Sequence, residues 1–263
     1  MTAAMQTAQE IRVQVAGGEV VLLKGGSGDP LVIVHHDIGT HGWLRFEQAL
    51  AERFTVHLPD MPGYGKSKRP EWARNVRDIV AELSLLFDTL GLRDVALVGL
   101  GYGGWLAAEM ATMGQTRYRS LALVNPMGIL PREGEILDQF LVSQEDYIKT
   151  GFHDLGRFAD LFTEEASTDQ LVAWDICREM TTRVGWKPYM FNRALPFLLE
   201  NVTLPTLVVH SRENRIVPIS TAEQYVETMP NARLEVIDNV GHFAELEQPD
   251  RVAQLVIKHA AGK

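Results

Sequence analysis

One stretch constrains this 263-residue chain more than any other: Leu97-Val98-Gly99-Leu100-Gly101-Tyr102-Gly103-Gly104-Trp105. An apolar run ends in glycines, and the helix-like segment Trp105–Met110 follows at once. A strand that reverses sharply into a helix needs residues without a Cβ where backbones nearly touch, and glycine supplies them. The same residues satisfy the dinucleotide-binding spacing Gly99-x-Gly101-x-x-Gly104. That pattern, however, opens the first strand of its domain and is followed roughly twenty residues later by an acid. Here several strands precede it, and Tyr118–Asn125 ends its strand without one. The strand–turn–helix reading is the better supported.

On either side, strands and helices alternate. Ile11–Ala16 and Glu19–Lys24 alternate apolar and polar residues around Gly17-Gly18, predicting a hairpin. Leu31–His35 is a wholly apolar short strand of the kind found inside parallel sheets. Trp43–Arg53 has helical spacing, Phe54–Leu58 reads as a strand, and Asn75–Leu90 is an amphipathic helix stopped by Gly91. A strand at Ser120–Val124 follows the glycine turn. From Met127 to Asn201 only helical patterns occur, around Glu135–Lys149, Phe152–Phe162, Thr168–Thr182 and Phe191–Glu200. Alternation resumes with Leu204–His210, Ser220–Met229, Arg233–Ile237 and Asp250–His259. The expected architecture is α/β: a mostly parallel central sheet flanked by helices, with a helical insertion after the sixth strand.

Composition removes several functions. A net charge of −9 and no basic cluster argue against nucleic acid as a partner. Met1–Glu10 is polar without an apolar signal core, and no apolar run approaches membrane-spanning length. The single cysteine, Cys177, excludes an internal disulfide framework. These features predict a cytoplasmic protein that meets a small molecule rather than a membrane; a homodimer is possible, but nothing in the sequence argues for one.

The glycine turn resembles the nucleophile elbow, G-x-S-x-G, of the α/β-hydrolase family. Four further motifs carry the resemblance, in order. Asp60-x-Pro62-Gly63-x-Gly65-x-Ser67 matches the family's D-x-P-G-x-G-x-S loop, and Gly241-His242-x-x-x-x-Glu247-x-Pro249 its late histidine motif. Ser211-x-x-Asn214-x-x-x-Pro218 stands where the family has its acid loop, and His35-His36-Asp37-Ile38-Gly39 where it has its oxyanion loop. Together they span nearly the whole chain and resemble most the esterase and carbon–carbon hydrolase branch. The resemblance implies a core domain of residues 1–126 and 202–263, a helical cap of residues 127–201 and a small, mostly apolar pocket.

The departures matter most. Gly101 stands at the nucleophile position, Asn214 at the acid position and His36 at the first glycine of the oxyanion loop. Glycine cannot attack a carbonyl, and losing the nucleophile of a serine protease costs on the order of a millionfold in turnover. The resemblance implies His242 as the surviving catalytic side chain, a general acid or base. Oxyanion or substrate contacts would come from Tyr102, His35, His36 and Asp37. Gly101 is expected to enlarge the pocket, Asn214 to accept from the imidazole through its carbonyl oxygen, and Glu213 to be a possible substitute acid. The reading with catalysis is a non-covalent reaction of a small, mostly apolar ester or carbonyl compound; the other is an inactive fold that binds a ligand or partner. His35, His36, Asp37 and His41, with His210, Glu213 and His242, are metal-ligand types. Neighbours in a strand point to opposite faces, so neither a metal nor another cofactor is expected. Trp72, Trp105 and Trp174 read as packing residues, Arg178 and Arg183 as exposed. Phe140, Met180, Phe191 and Phe197 are expected to include pocket-lining side chains.

Overall fold

The computed structural model describes residues 8–163 and 166–262; of Met1–Glu10, only the last three residues fall within that range. The chain opens with a hairpin, β1 (Gln9–Val15) and β2 (Gly18–Gly26), whose pairing Val15↔Gly18 puts Ala16-Gly17 in the turn. This is one residue earlier than the sequence suggests. Then follow β3 (Asp29–Val34), α1 (Arg45–Ala51), β4 (Phe54–Pro59), α2 (Val76–Thr89), β5 (Val95–Leu100), α3 (Tyr102–Gly114) and β6 (Tyr118–Val124). Between β6 and the next strand lie α4 (Gln144–Gly151), α5 (Leu155–Phe162), α6 (Thr168–Gly185) and α7 (Leu195–Leu199). The chain closes with β7 (Thr206–Ser211), α8 (Ile219–Thr228), β8 (Ala232–Ile237), α9 (Ala244–Glu247) and α10 (Pro249–Ala260). The strands form one sheet in the order β1-β2-β4-β3-β5-β6-β7-β8. β2 is antiparallel to β1 and β4, and every other pair is parallel.

Both faces of the sheet are covered, which is why its central strands are continuously apolar. On β3, Leu31 and Ile33 join an apolar cluster with Phe46 and Leu50 of α1 and with Val252 and Val256 of α10. Val32 and Val34, one step out of phase, join the cluster of α2 and α3 on the opposite face. Helix α2 is closed at both ends by local sequence. The Asn75 side chain accepts from the Asp78 N–H at 3.1 Å. At its other end Gly91, at φ +66°, donates to Asp88 O and Leu92 to Phe87 O, the paired bonds that satisfy a helix's last carbonyls.

The insertion is less helical than its periodicity suggests. Glu135–Lys149 becomes helix only at Gln144, after the Ser143 cap. Before it the chain is irregular, with long-range bonds from Leu137 N–H to Ile216 O at 2.9 Å and from Gln139 N–H to the Tyr189 hydroxyl at 3.0 Å. Phe191–Glu200 is helical only over Leu195–Leu199, because Phe191 pairs with Gly128 in a single bridge and Met190 sits at φ +58°. Trp105 and Trp174 are buried, whereas Trp72 is 48% exposed.

Phe87 is fully buried at the centre of the α2 face. Phe87→Ala is expected to lower stability by about 3–5 kcal/mol. Calorimetry should show a melting temperature lower by roughly 10 °C, whereas Met113→Ala, at a half-exposed site, should leave it unchanged.

Candidate functional site

Three glycines shape the turn between β5 and α3 by what their Cβ atoms would strike. At Gly99 a Cβ would lie 2.6 Å from Gly103 O, and at Gly103 it would lie 2.1 Å from Val34 O; at Gly104 it would press on Pro126 at 2.9 Å. Strand, helix and neighbouring strand thus approach closer than any side chain allows. Between them Gly101 adopts φ +51°, ψ −111°, in the left-handed half of backbone space. Its N–H reaches Val124 O at 2.9 Å, and Met127 N–H reaches its carbonyl at 3.0 Å. Tyr102, the first residue of α3, has no intrahelical acceptor for its N–H.

Gly101 differs from these three in what surrounds it. A Cβ there would lie 2.2 Å from His36 Nδ1 and 2.8 Å from His242 Nε2. The missing side chain therefore leaves no enlarged pocket, contrary to the sequence expectation. The His36 ring occupies that volume. His36 is buried, and its Nε2 lies 3.2 Å from a carboxylate oxygen of Glu245, itself buried on α9. Its ring meets His242 edge to face at 5.0 Å and Phe243 at 4.9 Å.

His242 is fully buried, in the loop between β8 and α9. Gly241 N–H donates to Glu247 Oε1 at 2.7 Å, and the same carboxylate accepts from the His153 and Asp154 N–H groups after α4. A Cβ at Gly241 would strike Gly151 O at 2.2 Å. The G-H-x-x-x-x-E spacing thus binds the histidine loop to the insertion. Asn214 lies beside the imidazole, but not as expected. Its Oδ1 accepts from both Ile216 and Val217 N–H at 2.9 Å, which turns its amide nitrogen toward His242 Nδ1 at 3.2 Å. An amide N–H there makes Nδ1 the acceptor and leaves the ring proton on Nε2. Burial pushes the imidazole well below its usual range, and the His36 and His210 rings oppose a charge on it further. His242 is accordingly a neutral ring presenting an N–H toward Gly101.

The other sequence candidates are distributed unevenly. Glu213 accepts from Val240 N–H at 3.2 Å and so braces the histidine loop's backbone. His35 is a brace rather than a substrate contact. Its Nδ1 donates to His36 O at 2.6 Å and its Nε2 accepts from Met61 N–H at 2.9 Å, and burial lowers it to about 4. Asp37 is buried with its carboxyl pushed upward by burial, and accepts from the Tyr147 hydroxyl of α4 at 2.8 Å. Tyr102 turns its ring toward Tyr64 and Trp105 and is fully buried. Arg178 donates to Gln139 O and so staples the 139–142 segment instead of facing solvent. Arg183 donates to Glu71 O at 3.0 Å. Of the four pocket candidates Met180 is fully buried and Phe197 is 71% exposed.

Asn125, at the end of β6, joins the site. Fully buried at φ +49°, it donates to Ser211 Oγ and His242 O and accepts from Ser211 N–H, tying β6, β7 and the histidine loop together. Sequence reasoning missed Glu245 entirely, because it falls on a variable position of its motif. Among the described residues, the cavity of about 30 Å³ beside His36 and Glu245 has neither Gly101 nor His242 in its wall. Among the described residues no group of three or more His, Cys, Asp or Glu could hold a metal ion, and no helix is long and apolar enough to cross a membrane.

Sheet order, glycine turn and histidine loop define an α/β-hydrolase fold, and the chain belongs to the alpha/beta hydrolase family, which it matches over residues 20–255. Among similar proteins, the 2-hydroxymuconate semialdehyde hydrolase of Pseudomonas sp. (strain CF600) is 28% identical, covering 96% of this chain and 95% of its own length. The 2-hydroxy-6-oxo-2,4-heptadienoate hydrolase of Pseudomonas putida is 27% identical, covering 93% and 94%. A solved meta-cleavage product hydrolase from Pseudomonas fluorescens IP01 superposes with a TM-score of 0.81 at 22% identity, over 96% of this chain and 97% of its own.

Two predictions follow from the packing and charge of this site. Gly101→Ser, which forces a Cβ into the His36 ring, should cost about 1–3 kcal/mol of unfolding free energy. Adding His36→Gly should restore most of it; a double-mutant cycle with no coupling would contradict the packing described. The second concerns pH. His35 and His210 are both lowered to about 4 by burial, so below ~6.5 the unfolded chain takes up protons that the folded chain refuses. Their contribution is complete above that pH and is lost as pH falls toward 4. Glu47, raised to about 7 by burial, acts in the opposite direction and offsets part of it. His41, lowered to about 3, and His242, held well below its usual range, add to the histidine side, so urea unfolding should give a lower free energy at pH 5 than at pH 7.

Proposed function

We propose that this chain is an enzyme acting on a small, mostly apolar ester or carbonyl-type substrate without a covalent intermediate. The observation that carries the proposal is the buried His242 Nε2. It has no partner and is aimed at the place where the family's nucleophile would stand. With its proton on Nε2, His242 works on the acid side, as a neutral donor to the substrate's carbonyl or leaving oxygen. The Tyr102 N–H and the backbone of His36 and Asp37 hold the developing oxyanion. Residues 127–201 close over them as a cap. General acid–base help contributes typically 10² to 10⁴-fold and an oxyanion donor about 3 kcal/mol, enough for an activated substrate. The relatives' names, hydrolases of small oxo-dienoates, support a carbonyl compound of that size.

The alternative is a fold that binds a ligand and leaves it unchanged. It is favoured by Asp37 Oδ1 and the Gln139 and Gln144 amides, all buried and without partners among the described residues.

Turnover of p-nitrophenyl acetate and butyrate, and of a 2-hydroxy-6-oxo-dienoate, separates the two readings. We expect turnover above solution background that falls 10² to 10⁴-fold in His242→Ala. Stabilisation by the dienoate with no chemical change in it would favour the binder, and a His242→Ala variant as fast as the unaltered chain would contradict the mechanism.

A further inference from the structure

We infer that His36, oriented by Glu245, is the general base of this site, with Glu245 its positioning residue; the inference rests on the proposed non-covalent reaction and assigns the half of it that His242 leaves open. His242 presents an N–H and so cannot accept the proton that a water nucleophile must lose. His36 offers the complementary atom. Its Nε2 faces the Glu245 carboxylate at 3.2 Å, so that nitrogen carries the proton and Nδ1 is left as an acceptor. Nδ1 is buried, has no partner, and lies on the Cβ position of Gly101 together with His242 Nε2. One acceptor and one donor thus converge where the nucleophile's side chain would be.

Glu245 has the surroundings of a group kept for its charge. It is 4% exposed, and His36 is its one polar partner among the described residues. A carboxylate isolated from water is costly unless paired, and here the pair orients a ring and offsets the charge that ring gains on taking a proton.

The step balances with water as co-reactant. A water gives a proton to His36 Nδ1 while its oxygen bonds to the substrate carbonyl carbon. The carbonyl π pair moves onto oxygen, held by backbone N–H groups and by His242 Nε2–H. When that pair returns, the bond to the leaving alkoxide breaks, and His36 Nδ1 hands the proton to it. Acid and alcohol leave, and both histidines end as they began.

The test uses p-nitrophenyl acetate with the unaltered chain, His36→Gln, His36→Gly, Glu245→Gln, Glu245→Asp and His242→Ala, each checked for its melting transition. We expect His36→Gln, which fills the same space, to lower kcat 10² to 10³-fold with KM within about twofold. His36→Gly should lose as much and regain at least tenfold when imidazole is added. Glu245→Gln should lower kcat about tenfold at unchanged KM, with Glu245→Asp in between. If His36→Gln keeps its kcat while His242→Ala is slowed, the base is overturned and the proposed reaction stands. A His36→Gly variant that is slowed but gains nothing from imidazole also overturns it, as a packing role. An unaltered chain that turns over neither ester nor dienoate removes both.

Discussion

An imidazole packed against a glycine that has no side chain sets everything else in this site. The family's strand–helix turn normally lifts a nucleophile at that point. Here the turn is kept, at φ +51°, by bonds from Gly101 to Val124 and Met127, and the volume above it belongs to the His36 ring. The two departures are one exchange: volume lost at position 101 is regained at position 36, with no net cavity. Interiors are packed as densely as organic crystals, so neither residue is free to change alone.

The exchange also rearranges polarity. In a serine hydrolase an acid holds the histidine by Nδ1–H and leaves Nε2 bare to take the nucleophile's proton. Here Asn214, its carbonyl spent on two backbone N–H groups, turns an amide N–H to Nδ1, and the proton moves to Nε2. On the proposed reading the ring keeps its place and reverses its role, and the acceptor is His36, which faces a carboxylate from α9. Around this pair Asn125, Glu213 and Glu247 hydrogen-bond to backbone groups. They fix the loops, and the close contact of Gly241 with Gly151 makes the histidine loop and the insertion one body.

Much of the fold was legible because its signals are local. Continuous apolar strands, the Asn75 cap, the Gly91 stop and glycines at the turn each follow from a few neighbouring residues. Where the sequence misled, the deciding partner was far away in the chain. Residues 135–143 have a helical pattern, but Leu137 and Gln139 spend their N–H groups on Ile216 and Tyr189. Asn214, read alone, is a poor acid. Only the backbone of Ile216 and Val217 reveals which face of its amide meets the ring. Gly101 read as empty space because the residue that fills it lies 65 positions earlier. Glu245 carried no sequence signal, since four variable residues separate His242 from Glu247 and any one of them could have been it.

The central claim is about where two protons sit, and long-range 1H–15N correlation of the imidazole rings in solution reads it directly. The account predicts that at neutral pH His242 carries its proton on Nε2 with Nδ1 bare, and that His36 does the same, with its Nε2 proton toward Glu245. A His242 ring protonated on Nδ1, or a His36 ring protonated on Nδ1, would contradict it.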